Sequence, residues 1–91
     1  MIVGADGVVP WWAARQIVLN ARAVPERFVR SASPIPVVVR LHWSDDGEEW
    51  VPTAANAWTV PLVLVEVDDA RSNVRGLWVP ARDVRRRDLS R

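Results

Sequence analysis

Residues 37–50 constrain the fold more than any other stretch of this chain. Val37, Val39, Leu41 and Trp43 alternate with Val38, Arg40 and His42, the period-two signature of a strand with one buried face. Asp46-Gly47 follows and is a strong hairpin signal, because glycine takes a positive φ without steric cost. Trp50-Val51 opens the return strand, and Pro52 restricts its ladder to an edge or an end. The middle of the chain is thereby committed to an antiparallel hairpin.

Downstream, the apolar run Leu62-Val63-Leu64-Val65-Glu66-Val67 suits a central strand covered on both faces. Residues 68–76 read as a polar loop. Leu77-Trp78-Val79 is a short strand ended by Pro80, Ala81-Arg82-Asp83 fits one 3₁₀ turn, and Val84 resumes pairing. Residues 88–91 form a frayed tail. Upstream, Pro10 suits the first position of a helix, and Trp11, Ala14, Val18 and Ala21 fall on one stripe, so a short helix is expected over 10–22. An extended reading with Ile17, Leu19 and Ala21 on one face fits nearly as well. Residues 31–36, with Pro34 and Pro36, read as a loop that separates this extension from the sheet.

The segment Gly76-Leu77-Trp78-Val79-Pro80-Ala81-Arg82-Asp83-Val84 resembles the closing element of SH3 domains, where a glycine and an aromatic precede a proline, a 3₁₀ turn and a final strand. Trp43, Asp45-Asp46-Gly47, Trp50, Pro52 and Ala54 are similar to the opening of a Tudor-type barrel. The resemblance spans about residues 37–87 and implies a mainly β chain: a small SH3-like barrel of about five strands over 37–87, preceded by an N-terminal extension over 1–36. The chain has no tyrosine, so the proline-peptide groove of eukaryotic SH3 domains does not carry over. A methyl-binding cage would have only Trp43, Trp50, Trp58 and Trp78 to draw on. The likeness speaks for architecture and not for ligand.

Ninety-one residues make one small domain, in which each large apolar side chain counts heavily. Six tryptophans supply much of that burial, since each removes on the order of 200 Å² from water. There is no cysteine, which excludes disulfides, thiolate metal sites and cysteine nucleophiles. All twelve basic residues are arginine, a bias that fits a high-GC bacterium or its phage. Residues 37–69 carry a net −6, residues 70–91 a net +5 and the whole chain +1, so an acidic middle faces a basic tail. Neither a secretory leader nor an apolar run of roughly 20 residues is visible. The expected compartment is the cytoplasm, with no membrane partner.

Asp45-Asp46-Gly47-Glu48-Glu49 lacks the alternating ligands of a calcium loop and reads as a solvated hairpin tip, so no metal is expected. His42 is the only histidine, with no nucleophile-elbow serine or phosphate loop beside it. No catalytic residue and no cofactor are therefore assigned. Two sets of residues could bind. Neighbours Trp11 and Trp12 cannot both face one core, so one of them is a candidate protein contact. Arg82, Arg85, Arg86 and Arg87 could contact nucleic-acid phosphates, with Trp78 or Trp58 stacking on bases. The expected function is a non-catalytic protein-interaction module, whose partner is another protein or a second copy of itself. An accessory subunit of a larger assembly would look the same. The alternative is a nucleic-acid-associated module built on the four arginines.

Overall fold

The computed structural model describes residues 16–72 and 74–87. Two long strands dominate it: β1 (Val29–Trp43) and β2 (Gly47–Thr59). They meet at the expected turn, where Gly47 takes φ 78°, and Trp43 pairs with Gly47, Leu41 with Glu49 and Val39 with Val51. The alternation read from the sequence is the burial pattern: Val37, Val39, Leu41 and Trp43 are all buried, each contributing roughly 1.5–3 kcal/mol of hydrophobic stabilisation.

The chain continues through β3 (Leu62–Glu66), β4 (Gly76–Pro80), one 3₁₀ turn (Ala81–Asp83) and β5 (Val84–Arg86). The Val60–Pro61 peptide between β2 and β3 is cis. All five strands are antiparallel in one sheet of order β4-β3-β2-β1-β5. The mainly β expectation of about five strands holds, but the sheet is not closed into a barrel. Its two outer strands, β4 and β5, are joined through the 3₁₀ turn and do not pair with each other. β5 covers β1 only at Val37–Val39.

β1 begins at Val29, inside the span read as an extension. A large bulge between Arg30 and Ile35 absorbs Ser31–Pro34. Pro36 is tolerated because its carbonyl accepts from Arg87 N on the β5 side, so its missing N–H also points away from the β2 ladder.

Residues 16–22 form no helix: Val18 and Arg22 make isolated bridges on either side of a turn at Leu19–Asn20, where Ala21 N donates to Val18 O; the remainder of the expected helix, 10–15, lies outside the described residues. Val18 bridges to Trp43 and Arg22 to Trp78. The segment lies along the part of β1 that β5 leaves free: Leu19 N donates to His42 O and Ser44 N to Ile17 O. Val18 and Asn20 point inward and are buried, whereas Ile17 and Leu19 are exposed. Val18 joins the main core of Val37, Val39, Leu41, Trp43, Val65 and Val79. Trp78 is also buried but packs with Phe28, the ring centroids 5.0 Å apart.

Candidate functional site

Register fixes which side chains share a face. Cross-strand partners lie on the same side of a sheet, and successive residues alternate. Trp50 pairs with Arg40, Pro52 with Val38, and Val38 with Arg85. The outer face of β2-β1-β5 therefore presents Trp50, Pro52, Val38, Arg40 and Arg85 together. Arg87, two residues beyond Arg85, lies on the same side. Trp50 is 44% exposed, and the Arg85 guanidinium carbon sits 4.7 Å from its ring centroid. That distance is a cation–π contact.

The structure brings together only part of the expected nucleic-acid set. Arg82, Arg85, Arg86 and Arg87 are all exposed. None of them forms an ion pair among the described residues. Arg87 reaches the Thr53 carbonyl at 3.5 Å. Arg86 pairs with Val37 and so belongs to the opposite face from Arg85. Trp78 is buried and cannot stack on a base; Trp58 is partly exposed but pairs with Val29 at the far end of the hairpin. The aromatic that accompanies the arginines is Trp50. The hairpin register offered that signal, because counting back from Asp46-Gly47 sets Trp50 opposite Arg40. Trp11 and Trp12 lie outside the described residues.

Four acids of the middle segment are met by Arg71, from the start of the basic stretch, and by Arg40, and not by Arg82, Arg85, Arg86 or Arg87. Arg71 donates to Asp69 through Nε at 2.9 Å and Nη2 at 2.7 Å, to Asp46 at 3.0 Å, and to Glu49. Its guanidinium lies 4.1 Å from the Trp43 ring centroid. The Trp43 indole N–H donates to Glu49 at 2.8 Å. Gln16 Oε1 accepts from the backbone N–H groups of Asp45 and Asp46. The hairpin tip is thus a tethered structure and not merely a solvated turn. Hydrogen bonds from the Arg71 side chain and backbone hold the Asp69 carboxyl down at about 2. The Gln16 side chain, followed by Arg71, lowers that of Asp46.

A second network fixes the 3₁₀ turn that leads into β5. Asp83 is buried, with Oδ1 accepting from Arg40 Nε at 3.0 Å and Oδ2 from Asn20 Nδ2 at 3.0 Å. Asn20 also donates to Arg40 O and accepts from His42 N. Arg40 completes the set with Glu48 at 3.2 Å. Every charged group here has a partner, so the network positions the turn, and with it Arg85 and Arg87. His42, half-buried on β1, contributes its backbone to this arrangement.

An open groove of about 370 Å³ lies apart from that face, lined in part by Leu64, Glu66, Asp68 and Arg75. Its Glu66 carboxylate accepts from Asn56 at 2.9 Å. Among the described residues no group of three His, Cys, Asp or Glu is placed to hold a metal ion. None of their helices is long and apolar enough to cross a membrane. Comparison of this chain with protein-family models, curated proteins and solved structures finds no match.

Proposed function

We propose that this chain is a small, SH3-like, non-catalytic interaction module that engages a protein partner through the face around Trp50. The observation that carries the reading is the half-exposed Trp50 with Arg85 over its ring. A tryptophan and an arginine on a sheet face are the residue types that most often dominate the energy of a protein interface. Stacking on the ring fixes the guanidinium in place and leaves its N–H edge free to donate. The acid best placed for chemistry, Asp83, has both oxygens engaged by Arg40 and Asn20, which supports a structural role for it.

Capture from a nuclease-treated lysate tests this reading. A partner retained by the wild type and lost from both Trp50→Ser and Arg85→Gln supports it, provided that both variants melt like the wild type. Equal capture by all three overturns it.

The second reading, a nucleic-acid-associated module, is favoured by one observation: Asp46, Glu48, Glu49, Asp69 and Asp83 pair with Arg71 and Arg40, and Arg82, Arg85, Arg86 and Arg87 have no ion-pair partner among the described residues. Capture abolished by the nuclease would select that reading.

A further inference from the structure

We infer that the occupant of the Trp50 face is a short, extended, acidic protein segment. Its carboxylates, two residues apart, pair with Arg85 and Arg87, and an apolar side chain two residues further along the same side of the segment packs on Trp50 and Pro52. The inference rests on the interaction reading above and specifies its partner.

Three features of the face lead to that chemistry. Arg87 follows Arg85 by two residues, just past the end of β5, with its N–H still bonded to Pro36 O, and on an extended course their Cα atoms stand about 6.5 Å apart on one side. An extended segment with acids at alternate positions repeats at the same interval, and opposite charges set against each other across an extended pairing are favourable. Next, the guanidinium of Arg85 is held over Trp50, which presents its N–H edge to an oxyanion at little further entropic cost. Beside it, Pro52 and Trp50 are exposed and Val38 is half-buried. That floor is apolar and suits a side chain better than it suits a phosphodiester.

The length of the cationic stretch decides between an acidic peptide and a nucleic-acid strand. The arginines without ion-pair partners among the described residues run along β1 from the Pro36 rung, where Arg87 N is bonded, to the Val38 rung of Arg85, about 6.5 Å for two residues. Arg40 at the following rung is already paired with Asp83 and Glu48. At the next rung on that face His42 pairs with Glu48, and beyond it lies the acidic hairpin tip. Single-strand sites track the backbone over about four nucleotides or more, and a polyanion of that reach would meet those acids. A peptide with two or three carboxylates ends before them.

NMR titration of the labelled full chain tests the inference, read at the Trp50 indole N–H and the Nε–H groups of Arg85 and Arg87. The probes are a synthetic extended peptide with two glutamates two residues apart and a leucine two residues further on, its glutamine counterpart, and oligothymidylate. The glutamate peptide should move all three signals and weaken as salt rises from about 50 to about 300 mM. Affinity should fall about tenfold in Arg85→Gln/Arg87→Gln, as for the loss of two exposed ion pairs. Equal binding of the glutamine peptide would overturn the acidic specificity. Stronger shifts with oligothymidylate would reassign the face to nucleic acid. An absence of shifts with every probe would also overturn the inference, whereas the interaction reading stands or falls separately on Trp50-dependent capture.

Discussion

Asn20 and Asp83, 63 residues apart in sequence, are joined by a buried hydrogen bond of 3.0 Å. The bond ties the N-terminal segment to the 3₁₀ turn from which β5 departs. Asn20 simultaneously donates to Arg40 O and accepts from His42 N. One amide thus links the segment, β1 and the turn that sets the direction of Arg85.

Asn20→Ala leaves the buried Asp83 oxygen and the His42 N–H without their partner. Stranded buried polar groups cost about 1–3 kcal/mol each, so the variant should lose roughly 2–3 kcal/mol in urea denaturation. It should also lose the amide protection of His42 in hydrogen exchange. Wild-type stability would show that the network contributes nothing to the fold.

Asp69 links stability to acid. Its carboxyl is held at about 2, from an ordinary value of 3.8, chiefly by the Arg71 side chain. A group depressed in the folded state contributes stability that is complete above its unfolded value and lost as pH falls through its folded value. The window here runs from pH 3.8 down to about 2. The site is open to solvent, so the amplitude should be small. In Arg71→Gln the Asp69 carboxyl carbon should titrate near its ordinary value, and the corresponding part of the acid unfolding curve should flatten. An unchanged Asp69 titration in that variant would remove Arg71 as the cause.

Trp78 is buried against Phe28 and its carbonyl accepts from Arg22 N. Trp78→Ala should cost roughly 3–5 kcal/mol. A chain of this length has on the order of 5–10 kcal/mol in total, so the variant should be largely unfolded or poorly soluble by circular dichroism. A loss under about 1 kcal/mol would contradict its place in the packing.

The β1–β2 hairpin was legible because alternation at Val37–Trp43 and the glycine of its turn point to the same answer. The strand through Ser31–Pro36 was not. Two prolines and two serines mark a loop by local propensity, and only the position of β5 and the bulge make them tolerable in a strand. For residues 16–22 the alternative to a helix set Ile17, Leu19 and Ala21 on one face, but the inward pair is Val18 and Asn20, and a polar residue on the buried side gives no apolar alternation to mark it. Its partner Asp83 lies too far along the chain to suggest itself. The arginines were visible as a cluster, but alternation divides them. Arg86 leaves the face that Arg85 and Arg87 share, and Trp50 joins it through a pairing set two strands away.

For duplex DNA, four phosphate contacts would give a log–log salt slope of about −3 to −4. The division of the arginines between two faces and the nearby hairpin acids predict a shallower slope, with weak binding that vanishes by physiological ionic strength. Filter binding across a salt series measures it. A slope steeper than about −3 with micromolar affinity at physiological salt, lost when the four arginines become glutamine, would favour the nucleic-acid reading.

The affinity of the captured protein partner for wild type, Trp50→Ser and Trp58→Ser tests the central claim most directly, because both tryptophans are partly exposed and, of these two, Trp50 is the one with an arginine on its ring among the described residues. Calorimetry should show Trp50→Ser binding at least about thirtyfold more weakly, the loss of a 2 kcal/mol anchor, while Trp58→Ser binds like the wild type. Unchanged binding by Trp50→Ser, or a loss confined to Trp58→Ser, would contradict the account.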